Sequence, residues 1–234
     1  MYEEAFCKVY NEFGWNCYPE AFGEELLEWL RDNRIEVGSC LDIGCGTGVL
    51  CEILTAHGIA AQGIDLSEHM IAIARERAPQ IPYEAADMVT YRPKQAVDLV
   101  TCTGDALNHL PTVEQLEATI RNVCSYLKED GWFLFDILNE KEAESFEPVE
   151  FDYSDTVRAS LEIRREDGGV IRLIVKVREN GEPVCEETIT EILYDPQMVC
   201  GLLRRAGFRE VLLRDTLSGR PDAHSTTWFV LARK

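Results

Sequence analysis

Residues 41–48 read Leu41-Asp42-Ile43-Gly44-Cys45-Gly46-Thr47-Gly48, a short apolar run that gives way to three alternating glycines ahead of a helical stretch. Backbone comes close to a ligand only where side chains are missing, and a turn this tight needs positive φ values, which glycine adopts at least cost. Gly44, Gly46 and Gly48 meet both needs. The first strand-to-helix turn is therefore the expected seat of a nucleotide-like ligand.

Working outward, strands are expected at 40–43, 60–64, 81–85, 97–103 and 132–138. They alternate with helices at 47–57, at 67–77 with Ser67 as cap, and at one opened by Pro111-Thr112, where Leu116, Ile120, Val123 and Leu127 form one apolar stripe. Upstream, Phe22, Leu26, Leu27, Trp29 and Leu30 place a helix over 20–33, behind an aromatic arm from Tyr2 to Pro19. This rhythm predicts an α/β fold with a mostly parallel sheet and right-handed crossovers.

After about residue 145 the rhythm changes. Runs at 149–153, 157–165, 170–178 and 184–193 alternate apolar and polar residues, and Gly168-Gly169 and Asn180-Gly181 are hairpin-turn signals. The expected organisation is a core over 1–147 and 195–234, with an antiparallel β insert over 148–194. Asp195-Pro196 opens a last helix that stops at Gly207, and strands at 208–214 and 226–232 close the chain. The extreme N-terminus and the polar stretch Ser218–Ser225 read as disordered.

Composition narrows the function classes. The chain has 234 residues, with 23 Lys and Arg against 42 Asp and Glu, a formal charge of −19 that repels a phosphate backbone. Nucleic acid is thus an unfavoured partner. The nine cysteines are odd in number, scattered and free of CxxC spacing, as expected of reduced thiols in a cytoplasmic protein, and no metal site is expected. No run approaches the roughly 18 apolar residues of a membrane span and no basic-then-apolar leader opens the chain, so a soluble protein that is not exported is expected.

Spacing then sorts the ligands. A P-loop needs a Gly-Lys pair, which the sequence lacks, and the dinucleotide fingerprint needs a glycine where Val49 stands. The motif Asp42-Ile43-Gly44-Cys45-Gly46-Thr47-Gly48 instead resembles the first motif of class I S-adenosylmethionine-dependent methyltransferases. Gly63-Ile64-Asp65-Leu66-Ser67 extends the resemblance, as does Ala86-Asp87-Met88. The segment from Thr103 to Leu110 stands where family members cover the cofactor's methionine end. Phe6-Cys7-Lys8-Val9-Tyr10, the aromatic arm, Asp105-Ala106-Leu107-Asn108 and the insert are similar to small bacterial methyltransferases of the glycine/sarcosine and "methyltransferase domain" kind. One departure is Asn11, where the usual partner of such a tyrosine is an aspartate.

The resemblance implies a Rossmann-like seven-stranded sheet of order 3-2-1-4-5-7-6, with the seventh strand antiparallel. It also implies S-adenosylmethionine as cofactor, S-adenosylhomocysteine as product and a small-molecule methyl acceptor. The implied cofactor residues are Asp42, Gly44, Gly46, Gly48, Asp65, Leu66, Asp87, Met88 and Thr103, with Asp65 on the ribose hydroxyls and Asp87-Met88 on adenine. Asp42 is read as organising the glycine loop indirectly. His109 and Asn108 are the catalytic candidates, and Tyr10, Trp15 and Tyr18 are expected to line the acceptor site, where their rings would attract a cation. Two other functions stay open from the residues alone: a non-catalytic module that binds the cofactor or its product, and a nicotinamide-dependent oxidoreductase. The oligomeric state is also open, a homodimer included.

Overall fold

The computed structural model describes residues 4–11, 14–138, 148–152, 154–215 and 227–234. Ser218–Ser225, Tyr153 and the first three residues lie outside them, so the expectations for those positions concern undescribed residues. The elements are α1 (Glu4–Tyr10), α2 (Cys17–Asp32), β1 (Ser39–Ile43), α3 (Val49–Ala56), β2 (Ala60–Asp65), α4 (Glu68–Arg77), β3 (Tyr83–Ala85) and β4 (Val97–Cys102). After a 3₁₀ turn (Ala106–His109) come α5 (Val113–Tyr126), β5 (Leu127–Leu138), β6 (Val149–Asp152), β7 (Val157–Glu166), β8 (Val170–Glu179) and β9 (Glu182–Ile192). The chain closes with α6 (Pro196–Ala206), β10 (Glu210–Arg214) and β11 (Thr227–Arg233).

Seven strands form one sheet in the order β3-β2-β1-β4-β5-β11-β10, and β6 to β9 form a separate antiparallel sheet. Strands β1 to β5 pair in parallel, while β11 runs antiparallel to both neighbours. Counted along the core, this is the expected order 3-2-1-4-5-7-6. The order reverses between β1 and β4, and beyond the carboxyl ends of these two strands the open crevice of such sheets lies.

Alternation along the strands divides the core. Phe133, Phe135 and Ile137 of β5 pack with Leu116 and Ile120 of α5 and Val199 and Leu203 of α6. Trp132 and Leu134 pack on the other face with Leu26 and Trp29 of α2 and Leu50 and Leu54 of α3. A third cluster joins Phe6 and Cys7 of α1 to Met70 of α4 and to Ala159, Val175, Val177, Cys185 and Ile189 of the second sheet. The N-terminal arm, read as weakly periodic, is thus helical at α1 and packs between α4 and the second sheet.

Several boundaries differ from expectation for local reasons. α3 starts at Val49 instead of Thr47, because Gly44, Gly46 and Gly48 stand at φ values of 77°, 52° and 82°, which no right-handed helix can include. α2 begins at Cys17, ahead of position 20, since Pro19 is tolerated in a first turn where its N–H would have no helical partner. β5 begins at Leu127, directly after α5, and carries an irregularity opposite Val97 and Leu99, so the expected start at Trp132 is late. Ser67, Thr112 and Asp195 cap their helices by accepting from Met70, Gln115 and Met198 N–H groups. No described helix is long and apolar enough to cross a membrane.

Candidate active site

The carboxyl ends of β1, β4 and β5 carry a row of polar residues under the arm. Asp42 of β1 pairs in register with Thr101 of β4, whose hydroxyl donates to the Asp42 carboxylate at 2.7 Å. The Cys51 thiol faces its other oxygen at 3.9 Å. Burial, with Asp65 and Asp136 nearby, pushes the Asp42 carboxyl up to about 7 despite the Thr101 bond. Asp42 thus ties β1 to Thr101 of β4 and Cys51 of α3, and it also borders the cavity.

Asp65 ends β2 and bridges two backbone segments. One carboxylate oxygen accepts from Gly46 N–H at 2.9 Å, the other from Ser67 N–H at 2.8 Å. Each oxygen keeps a further lone pair for a ligand donor. Burial raises the Asp65 carboxyl, and the two amide bonds oppose that rise.

Two adjoining chambers open over the glycine turn. The larger, of about 380 Å³, is lined by Gly44, Gly46, Asp65, Leu66, Asp87 and Met88 among others. The second, of about 210 Å³, is lined by Tyr10, Trp15, Tyr18, Asp42, Asp105 and Glu191 among others. Tyr10, Gly44, Gly46, Thr103, Gly104, His109 and Ile189 border both. The combined size suits a cofactor with a small partner.

The residues of the larger chamber fit a nucleoside. A Cβ at Gly46 would meet nothing within 4 Å, so the bare backbone faces open space. Leu66 is 55% exposed, an apolar shelf beside the Asp65 carboxylate. Asp87 sits in a turn, where one oxygen accepts from Val89 N–H at 2.8 Å and the rest of the carboxylate is exposed. Gly48 does not border either chamber: a Cβ there would lie 2.5 Å from the Tyr83 hydroxyl and 3.0 Å from Ala74 Cβ. Its bareness lets α3 pack against β3 and α4, which departs from the cofactor contact expected of it.

The arm closes the second chamber. Phe6, Tyr10 and Trp15 form one aromatic cluster, with Trp15 4.9 Å from Phe6 and 5.2 Å from Tyr10 between ring centroids. Burial, then the nearby Asp105 and Asp65 carboxylates, push the Tyr10 hydroxyl up to about 12. Tyr18 donates to Asp136, which also accepts from Gly104 N–H at 3.0 Å and Asp105 N–H at 2.9 Å. Asp136 was not singled out in the sequence, yet it holds both the arm and the left-handed Gly104-Asp105 turn.

The two catalytic candidates separate. His109 borders both chambers, with Nε2 3.9 Å from a Glu191 carboxylate oxygen, and burial lowers its imidazole to about 4. Asn108 is fully buried and borders neither chamber. Its amide donates to Ile192 C=O at 2.7 Å and accepts from Leu138 N–H at 3.1 Å. The expectation of a catalytic Asn108 is therefore corrected: both of its amide ends are used in tying β5 to β9.

Glu187 and Glu191 were also missed. They lie on the inward face of β9, with Cys185 and Ile189, only 8% and 6% exposed. The signal was present as two acids at apolar positions of an alternating strand. All nine cysteines are free, and among the described residues no cluster of three or more His, Cys, Asp or Glu is arranged to hold a metal ion.

The sheet order, the glycine turn and the chambers beyond it resemble the architecture of class I S-adenosylmethionine-dependent methyltransferases. Residues 40–131, from β1 to the start of β5, match the family described as methyltransferase domain. A ubiquinone biosynthesis O-methyltransferase of Coxiella burnetii is 34% identical over 104 residues, 42% of this chain and 43% of that protein. The chain spans about half the length of the curated relatives it matches.

Among solved structures, an S-adenosylmethionine-dependent methyltransferase from Clostridium acetobutylicum superposes with a TM-score of 0.83 at 20% identity, covering 97% of each chain. The S-adenosylmethionine-bound amino pentose methyltransferase CalS10 of Micromonospora echinaspora does so with a TM-score of 0.79 at 21% identity, over 100% of this chain and 98% of that one. These likenesses extend the shared fold over the second sheet as well.

Proposed function

We propose that this chain transfers a methyl group from S-adenosylmethionine to a small-molecule acceptor. The observation that carries the reading is the wall shared by the two chambers, Tyr10, Gly44, Gly46, Thr103, Gly104, His109 and Ile189, which would bring ligands from either side together. Gly44 and Gly46 would hold the cofactor by backbone, Asp65 by its ribose hydroxyls, and Asp87, Met88 and Leu66 around adenine. Bound there, the cofactor supplies an electrophilic methyl: an acceptor lone pair forms the new bond while the carbon–sulfur pair stays on sulfur.

The chain's own part is alignment and exclusion of water, effects worth up to about 7–11 kcal/mol in model reactions. Tyr10, Trp15 and Tyr18 roof the acceptor chamber, and Leu173 and Ile189 of the second sheet close its flank. We read residues 148–194 as the element that shapes this chamber, and the rest as the cofactor-binding core. His109, held neutral near pH 7, would take a proton from an acceptor that carries one. The acceptor class agrees with similar proteins named as a ubiquinone biosynthesis O-methyltransferase and an amino pentose methyltransferase.

The test is transfer of an isotopically labelled methyl group from S-adenosylmethionine to a pool of small metabolites, with His109→Asn beside the native protein. Labelled product that falls at least tenfold in the variant supports the reading. Tight binding of S-adenosylhomocysteine without any labelled product would instead identify a non-catalytic binding module. Preferential thermal stabilisation by NAD would point to an oxidoreductase.

A further inference from the structure

Asp136 interrupts a strand that is otherwise made for the core. From Gly131 to Leu138, β5 is buried throughout and apolar except for this carboxylate, which is itself fully out of water. Alternation puts Asp136 on the side of β5 that Trp132 and Leu134 turn toward α2. Across the ladder it stands in register with Phe229 of β11, on whose ring Phe22 of α2 stacks at 5.9 Å. Tyr18 lies one helical turn ahead of Phe22 on the same face, and its hydroxyl donates to Asp136.

The carboxylate also reaches a second segment. The oxygen that accepts from Tyr18 accepts from Gly104 N–H at 3.0 Å, and the other accepts from Asp105 N–H at 2.9 Å. Gly104 and Asp105 stand at φ values of 70° and 60°, a left-handed pair in which Asp105 lacks a glycine's freedom. Burial raises the Asp136 carboxyl, and the bonds from Tyr18, Asp105 and Gly104 oppose that rise. A buried charge is a poor source of stability, since apolar side chains of similar volume commonly serve a core as well. What hydrogen bonds to an acid supply is fixed geometry.

That geometry belongs to the site. Tyr18, Gly104 and Asp105 line the second chamber and Gly104 lines the larger one too, whereas Asp136 borders neither. Resting on the function proposed above, we propose that Asp136 is a positioning residue for methyl transfer: through Tyr18 and the Gly104–Asp105 turn it sets the roof of the second chamber against the wall that both chambers share, and thereby the acceptor's line of approach to the methyl group. In-line transfer is sensitive to such alignment, and a displacement of about 1 Å can cost roughly a hundredfold in rate. Cofactor affinity is a separate matter, because Asp65, Leu66, Asp87 and Met88 line the larger chamber alone.

The experiment follows labelled methyl transfer from S-adenosylmethionine to a small-metabolite pool presented at graded dilutions, which separates the maximal rate from the half-saturating dilution. Rates are counted per S-adenosylhomocysteine-binding site, so misfolded protein does not enter them. Tyr18→Phe keeps the ring and removes the donor. It is expected to lower the maximal rate about fivefold or more, with S-adenosylhomocysteine affinity within about twofold of native. Asp136→Asn, which also weakens the Gly104–Asp105 turn, should lower the rate further, and the double variant should be no slower than Asp136→Asn, because both substitutions cut one link. A maximal rate per site that Tyr18→Phe leaves unchanged overturns the proposal, whether or not Asp136→Asn folds, as do single effects that multiply in the double variant. Native protein that binds S-adenosylhomocysteine and yields no labelled product overturns the methyltransferase reading and this proposal together. Native product formation that both variants match overturns this proposal alone.

Discussion

The Thr47 hydroxyl donates a 2.9 Å hydrogen bond to the Asn11 side-chain oxygen, so the N-terminal arm is fastened to the glycine turn itself. Thr47 is buried and Asn11 half-buried, and Tyr10, the neighbour of Asn11, borders both chambers. Thr47→Val keeps the side chain's shape and removes the donor. S-adenosylhomocysteine affinity is expected to fall about three- to tenfold, near the ~1 kcal/mol of one hydrogen bond, with little change in unfolding free energy. Asn11→Asp preserves an acceptor and should leave the affinity within about twofold. Calorimetric titration of both variants reads the difference.

Asn108 is expected to matter for folding and not for ligand binding. Asn108→Ala leaves the Ile192 carbonyl and Leu138 N–H unpaired in the interior and should cost about 2–4 kcal/mol of stability. The affinity for S-adenosylhomocysteine, measured well below the melting temperature, should stay within about twofold. A loss of turnover without a loss of stability would return Asn108 to the chemistry.

Asp42 makes stability depend on pH in a definite direction. Its carboxyl is at about 7 in the folded protein and near the ordinary value of 3.8 when unfolded. Between these values the folded state binds the extra proton, so this group's contribution to stability is fully present below the unfolded value and is lost as pH rises toward 7. Asp42→Asn, whose amide oxygen still accepts from Thr101, removes that dependence. Urea melts at pH 5 and pH 8 should show the variant gaining on the native protein by at least about 1 kcal/mol at the higher pH.

The cofactor half of the site was far more legible than the acceptor half. Gly44, Gly46 and Asp65 belong to one continuous β1–α3–β2 unit, and the parallel pairing of its strands brings the Gly46 N–H to the Asp65 carboxylate. Hairpin turns were readable for the same reason: Asn180 and Gly181 adopt the positive φ values that their types favour. The second chamber is instead assembled from α1, α2, the 3₁₀ turn, β8 and β9, distant segments whose juxtaposition no local pattern encodes. Asp136 is one polar residue in a buried strand, and its donors come from Tyr18, Gly104 and Asp105, all distant from it in sequence. Asn108 and His109, adjacent in sequence, point to different surroundings because a 3₁₀ turn rotates successive side chains by about 120°.

The most direct test of the account is calorimetric titration of S-adenosylhomocysteine into the native protein and into Asp65→Ala and Asp65→Asn. One-to-one binding by the native chain is expected, with at least a tenfold loss, about 1.4 kcal/mol, in Asp65→Ala. Asp65→Asn, which keeps an acceptor for Ser67 N–H, separates loss of the ribose contact from loss of the loop, and should lose affinity while melting near the native temperature. Unchanged affinity in both folded variants, or no binding by the native protein, would contradict the assignment of the glycine turn and Asp65 to the methyl donor.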